Sequence, residues 1–494
     1  MRRSKWLNGF AGVEIFSTPL RHSLLNVPAA EKYYTIFVHA EILQVFVVGK
    51  KIKILEGVNG HMEIELKNLK GTRDYFPAEQ QVRNKIRNTL ESVFQKYGCR
   101  PLETPILCLF DILSSKYGGG AEILKEVYRL QDQGKRNLAL RYDLTVPFAR
   151  IIAMNPNLRM PFKRYEIGKV FRDGPVKTGR LREFIQCDVD IAGVKSTIAE
   201  AELMAMALDA FEQLGLEIFI SYNNRKLLTG VLESIGLSKN QVNDAVVSLD
   251  KVEKIGEKGV REELAVKEIH PNLIEKIFDV FQEGKRPEYF ASYSSSALVR
   301  EGISELNELE NYLTALNILD KTVFNPLLAR GLEIYTGTVY ELFLTSGEIT
   351  SSIGSGGRYD RIIGGFINNG EEYPAVGISF GLDVIYTALS MKNKEKVAEP
   401  HVDFFLIPLG TEKEILQIAQ KLRKKGFRVE VEMSGKRLKR SLDYANKERI
   451  PYVLILGENE LQQEKIALKN MADGKEEKIP LAELEKRIEK LKKE

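Results

Sequence analysis

Apolar positions recur along the chain in two rhythms, helical and alternating. From Ala78 to Tyr97, Val82, Ile86, Leu90, Val93, Phe94 and Tyr97 return at helical spacing, behind Pro77 and ahead of Gly98. That spacing predicts a helix with proline in its first turn and glycine closing its end. Cys99–Leu109 then reads as a strand interrupted by Pro105, which suits only an edge or a bulge. Leu138–Ala149, LALRYDLTVPFA, reads as another strand with Asp143 and Thr145 on one face. Tyr165–Phe171 and Glu183–Ile191 alternate with period two. A polar loop holding Asp173, Gly174, Pro175, Lys177, Thr178 and Gly179 joins them, so the pair predicts a hairpin. An amphipathic helix over Lys195–Gly215 and a short strand over Ile218–Tyr222 follow.

Residues 225–320 are mostly helical and charged, with apolar runs in Val242–Leu249, Leu273–Phe281 and Leu306–Leu319. Pro374–Leu389 is a glycine-punctuated strand that runs into a helix, and Met391–Pro400 is a charged linker. From Val402 the rhythm changes. Strands Phe404–Pro408, Phe427–Val431 and Tyr452–Leu456 alternate with helices Ile415–Lys425 and Leu438–Lys447, and Leu481–Leu491 is a terminal helix. This alternation predicts an α/β domain with a mainly parallel sheet. At the other end, Met1–Phe10 is basic through Arg2, Arg3 and Lys5. Tyr33–Val48 is apolar but broken by His39, Glu41 and Gln44, too short and too polar to span a membrane. The composition changes at Met62, so residues 1–61 read as an extension outside the fold.

Charge and composition narrow the chemistry. A length of 494 residues allows several domains with their own cores. The net charge of +4 is mild, so nucleic-acid contact must come from a local patch. Cys99, Cys108 and Cys187 form no CxxC pair, and the five histidines stand outside every polar motif. This argues against a zinc site, a disulfide framework and a histidine base, and it fits a reducing cytosol. Arg172, Lys177, Arg180 and Arg182 instead cluster in and beside the hairpin loop. Guanidinium groups stay charged and grip phosphate through two parallel hydrogen bonds. A solvated hairpin tip would look the same on these residues alone. A second basic run holds Lys421, Arg423, Lys424, Lys425, Arg428, Lys436, Arg437, Lys439 and Arg440.

Phe171-Arg172, followed by Gly179-Arg180 and Arg182-Glu183-Phe184, resembles motif 2 of the class II aminoacyl-tRNA synthetases. The helix and interrupted strand from Pro77 to Leu109 resemble their motif 1, and Pro374–Leu389 resembles motif 3. Ala329–Gly337, ARGLEIYTG, and Ser352–Gly365, SIGSGGRYDRIIGG, resemble the two signature motifs of the histidyl-tRNA synthetases. Leu249–Gly256 is similar to a segment of their helical insertion. The motif 3 form Gly-Leu-Glu-Arg is replaced here by Gly381-Leu382-Asp383-Val384, so the arginine that would clamp the ATP tail is missing.

The resemblance implies an α+β catalytic domain whose mainly antiparallel sheet has six to seven strands flanked by helices. It adds a helical insertion and a C-terminal α/β anticodon-binding domain. The corresponding segments are 62–224 and 321–392 for the catalytic domain, 225–320 for the insertion and 402–494 for the anticodon domain. It implies that histidine and ATP, with Mg2+, give histidyl-adenylate, and that tRNA(His) then accepts histidine. Arg330 and Arg172 would be the catalytic residues. Arg172, Arg180 and Arg330 would bind ATP. Asp143, Thr145 and Gln186 would hold the histidine ammonium, Asp190 and Tyr335 would read the imidazole, and Ile334 would line the same pocket. No protein side chain is assigned to a metal. A homodimer through the motif 1 helix and strand, and a cytoplasmic location, are implied as well. Two other readings compete: a histidine-sensing regulatory paralogue without enzyme activity, and a general RNA-binding protein using the C-terminal basic run.

Overall fold

Eight strands form the central sheet of the computed structural model. It describes residues 14–16, 32–38, 41–48, 51–56, 60–114, 124–176, 181–330, 334–347, 349–392 and 400–491. The strands lie in the order Thr322–Phe324, Ile218–Asn224, Thr338–Leu344, Gly354–Arg358, Ala375–Gly381, Glu183–Ala192, Phe162–Phe171 and Arg100–Pro101. The six inner strands pair antiparallel throughout. A short strand adds in parallel at each edge, which takes the count past the six to seven expected. The chain divides into two compact units, Met1–Lys392 and Asn393–Glu494.

Side chains alternate across a strand, so the sheet has two different faces. One carries Cys187, Val189, Ile191, Tyr340, Leu342, Ile378 and Phe380, all buried. Helices Pro77–Lys96 and Ile198–Gln213 pack on it. Phe94 stacks on Phe380 with ring centroids 6.0 Å apart, and Phe211 meets the same ring edge-on at 5.6 Å. Burying each such ring contributes about 1.5–3 kcal/mol. The other face is polar. Glu166, Asp188, Ser379, Ser355, Glu341 and Ser221 stand opposite one another in a row across six strands.

The first long helix spans Pro77–Lys96 and ends where Gly98 takes a φ of 74°. Positive φ costs glycine nothing, and Cys99 N–H closes the end on the Phe94 carbonyl at 3.1 Å. Cys99–Leu109 is not one strand. Arg100–Pro101 joins the central sheet, and Leu107–Leu109 joins a separate three-stranded sheet. Pro101 and Pro105 have no N–H to continue a ladder. Leu138–Ala149 differs too: the strand is Asn137–Leu140, and Thr145–Met154 is a helix. Pro147 lies in the first turn of that helix, where its missing N–H leaves no hydrogen bond unmade.

The described parts of the N-terminal segment are strands that lie outside the central sheet. Glu14–Phe16, Lys32–Val38, Glu41–Val48, Lys51–Glu56 and Gly60–Glu65 form a five-stranded antiparallel sheet of their own. The composition break at Met62 falls inside its last strand.

In the second unit, Val429–Val431, Phe404–Leu409 and Tyr452–Gly457 pair in parallel. An antiparallel hairpin, Lys465–Asn470 with Glu476–Pro480, extends the sheet beyond the expected parallel part. Helices Glu412–Lys424 and Leu438–Lys447 follow their strands as the alternation predicts.

Candidate active site

The hairpin that opens the site is built from Phe162–Phe171 and Glu183–Ala192, paired from Phe162 opposite Ala192 to Phe171 opposite Glu183. Arg172 continues the pairing, donating its N–H to the Arg182 carbonyl at 2.9 Å. Its guanidinium lies over the Tyr142 ring at 4.4 Å and the Phe184 ring at 5.0 Å. Its Nε donates to the Tyr142 carbonyl at 3.3 Å. Two ring faces hold the cation by its planes and leave its edge N–H groups for a ligand. Arg180 lies outside the described residues.

Asp143 and Thr145 do not share a strand face. Asp143 precedes the helix Thr145–Met154, and its Oδ1 accepts from the Val146 N–H at 3.0 Å. Burial pushes its carboxyl up to about 6, against the pull of the Val146 N–H and of Arg172. Its charge also disfavours ionisation of Tyr335 and Asp188. Gln186 donates from Nε2 to Ser379 Oγ at 2.9 Å, while its buried Oε1 has no donor.

Asp190 sits deeper, with 2% of its surface exposed. The Tyr359 hydroxyl donates to its Oδ1, and Arg164 lies 2.6 Å from its Oδ2. A carboxylate has about four acceptor positions, so each oxygen keeps room for one more hydrogen. Gly377 stands opposite Asp190 because a Cβ there would lie 2.0 Å from Oδ1. Arg164 also faces Glu166 at 3.7 Å, and Glu166 accepts from Arg141 at 2.7 Å and from the Thr104 hydroxyl. The sequence reading missed this buried network. The alternation in Phe162–Phe171, which puts Arg164 and Glu166 on the same face, was the available signal.

Arg330 is ion-paired with Glu341 on the strand Thr338–Leu344. Its Nε is buried without a partner, and its guanidinium stands 5.9 Å from the centre of the Tyr335 ring. Gly357 leaves room for that ring: a Cβ there would lie 2.8 Å from it. Ile334, half-buried, packs against the cluster holding Phe148, Tyr359 and Ile363. Gly331 lies outside the described residues. Arg358 has a different environment. It is buried and grips Glu200 with both ends of its fork, Nε at 2.7 Å and Nη2 at 2.6 Å.

Just beyond the strand Ala375–Gly381, Val384 packs against the main core. Asp383 beside it accepts from Tyr75 at 2.5 Å, from Arg83 and from the Ile185 N–H at 3.1 Å. This ties the helix Leu382–Lys392 to the first helix and to the hairpin, a structural use of the motif.

In the second unit three of the nine basic residues are committed internally. Arg423 donates to the Val429 carbonyl, Lys425 pairs with Glu485 and Glu489, and Arg428 pairs with Asp403. Lys421, Lys424, Lys436, Arg437, Lys439 and Arg440 are exposed.

A family profile described as histidyl-tRNA synthetase matches residues 71–385, and one described as anticodon binding domain matches 403–491. A histidine–tRNA ligase 1 of Bacillus cereus is 58% identical over 85% of this chain and 97% of its own length. The crystal structure of a histidyl-tRNA synthetase from Nostoc is 30% identical, with a TM-score of 0.72 over 86% of this chain and 99% of that one. An ATP phosphoribosyltransferase regulatory subunit/histidyl-tRNA synthetase from Bacillus halodurans has a TM-score of 0.66, covering 79% of this chain and 97% of that one. At 19% identity it shows the fold alone. The class II fold, the signature motifs and these matches agree: the chain belongs to the histidyl-tRNA synthetase family of ATP-dependent aminoacyl-tRNA ligases.

Proposed function

We propose a division of roles for the histidine–tRNA ligase reaction of this chain. The observation that carries it is the polar face of the central sheet, where Gln186 and Asp190 share one face of a strand and Arg172 continues the hairpin they belong to. Asp143, Thr145 and Gln186 take the histidine ammonium, with the donor-less Oε1 of Gln186 as one acceptor. Asp190 and Tyr335 read the imidazole, and Ile334 lines the pocket. A neutral imidazole offers one donor and one acceptor, so an acid and a hydroxyl together read both. Where such buried groups would be left unpaired, a substrate lacking the match is rejected by as much as ~10⁴-fold.

Arg172 bridges the histidine carboxylate and the α-phosphate of ATP. The carboxylate oxygen attacks the α-phosphorus, and pyrophosphate leaves. Arg330 stands beside the α-phosphate, where charge builds up in that step. A fixed cation there lowers the barrier because it binds the transition state more strongly than the ground state. Arg180 supports the phosphate tail in place of the missing motif 3 arginine. The terminal ribose hydroxyl of tRNA(His) then attacks the adenylate carbonyl, and AMP leaves. Mg2+ enters on the ATP phosphates and neutralises their charge.

The domain 402–494 grips the anticodon through its exposed basic residues. The protein works as a homodimer through the helix Pro77–Lys96 and the strand after it. A cytoplasmic site fits three free cysteines, and no described helix is long and apolar enough to cross a membrane. Histidine-dependent ATP–pyrophosphate exchange tests the reading. A regulatory paralogue or a plain RNA-binding protein would show none.

A further inference from the structure

Asp188 is a buried acid on the polar face of the sheet that these roles leave unused. It lies between Gln186 and Asp190 on the strand Glu183–Ala192, on the same face as both. Only 2% of its surface is exposed, and its Oδ1 has no hydrogen-bond donor. Two residues away, Gln186 Oε1 lacks a donor as well, because its Nε2 is turned onto Ser379. Buried acceptors in native proteins are nearly always paired, so two orphans side by side call for an explanation.

The local charges supply one. Across the strand pairs, Asp188 stands opposite Glu166 on one side and Ser379 on the other. Arg141 pairs with Glu166, and Arg164 pairs with Asp190. Three carboxylates thus share two guanidinium groups, and Asp188 is the acid without a cation of its own. Arg164 attracts its charge, and Ser379 stands opposite it on the neighbouring strand, while Asp190 and Asp143 repel it. An acid in that position is stabilised by a ligand that brings an N–H.

We propose that Asp188 is a second carboxylate of the histidine pocket, its Oδ1 accepting a hydrogen from the imidazole ring. The proposal rests on reading Gln186 and Asp190 as pocket residues. Gln186 lies nearer the Arg172 end of the hairpin, where the ammonium and carboxylate are held. Asp188 and Asp190 lie farther in, where the ring goes. A neutral ring has one N–H, so Asp188 and Asp190 share it, and Asp190 also holds Tyr359 and Arg164 in place.

The test compares Asp188→Asn with the unmodified chain in pyrophosphate exchange. It adds thermal melting and inhibition by imidazolepropionate, which is histidine without its ammonium. The histidine KM should rise about 10- to 100-fold, as expected when a buried hydrogen-bonding group is left without its partner. The ATP KM should stay where it was, and the inhibition constant of imidazolepropionate should rise in parallel with the histidine KM. The variant should melt no lower than the unmodified chain, because it removes an acid that lacks a cation. An unchanged histidine KM, an equal rise for ATP, or a variant that unfolds would overturn the proposal. A loss seen with histidine but not with imidazolepropionate would move the contact to the ammonium and overturn the imidazole assignment. An unmodified chain without histidine-dependent exchange would instead overturn the reading beneath it, and this proposal with it.

Discussion

Arg330 and Arg358 belong to the two glycine-marked segments that distinguish this sequence, and their surroundings differ in kind. Arg358 is buried, bidentate on Glu200, and also bonded to the Val194 and Ser196 carbonyls. Its hydrogen-bonding capacity is spent on the fold. Arg330 meets one carboxylate, Glu341, keeps an Nε–H without an acceptor and faces Tyr335. Its capacity is held in reserve. A motif arginine therefore declares its duty through its partners, and a sequence pattern alone does not separate the two.

The comparison sharpens first at Arg358. Arg358→Ala leaves Glu200 buried and unpaired, and breaking such a pair costs about 3–5 kcal/mol. Chemical denaturation should show this loss, and activity should fall only in step with the folded fraction. Normal stability would break the comparison.

Glu341 should have the next largest effect. Glu341→Gln replaces a charge-assisted bond to Arg330, about 1.5–3 kcal/mol, with a neutral one of about 0.5–1.5 kcal/mol. Adenylation should slow roughly tenfold while the histidine KM holds, because about 1.4 kcal/mol is a factor of ten. Unaltered exchange would mean that Glu341 does not position Arg330.

A smaller effect concerns pH. Burial raises the Asp143 carboxyl to about 6 and the Asp188 carboxyl to about 8, against an ordinary 3.8. A raised acid favours the folded state while protonated. That stability is fully present below the unfolded carboxylate range and is lost as pH rises through 6 and then 8. Melting temperature should fall across this window, and Asp188→Asn should flatten its upper part. The groups facing Asp188 are Arg164, Asp190, Asp143, Glu166 and Ser379. Identical slopes in the two proteins would contradict the assignment.

The smallest effect belongs to the N-terminal sheet, which shares no strand with the central one. Removing residues 1–65 should leave exchange and melting temperature nearly unchanged. A clear drop in either would show that the arginine environments depend on it.

Local patterns made much of this legible. The helix Pro77–Lys96, its glycine end and the Phe162–Ala192 hairpin follow from periodicity and turn residues. Asp143 did not, because apolar residues around Pro147 fit a strand end as well as a first helical turn. Lys465–Asn470 with Glu476–Pro480 escaped because charged residues mask the alternation of a half-solvated hairpin. The network of Arg141, Arg164, Glu166, Asp188 and Asp190 depends on cross-strand register, which no single segment encodes. The pairing of Arg330 with Glu341 is likewise a property of the assembled sheet.

The central claim is that Arg330 acts on the chemical step while Arg358 holds the fold. Pyrophosphate exchange by Arg330→Ala, with its melting curve and its dissociation constants for histidine and ATP, tests this most directly. Exchange should fall by about 10²–10³, the usual effect of removing a preorganised charge-stabilising group. Both substrates should still bind, and the melting temperature should fall less than in Arg358→Ala, because the Glu341 side chain left without its partner keeps some solvent access while Glu200 has none. Near-normal exchange, or a variant that unfolds as Arg358→Ala is expected to, would contradict the account.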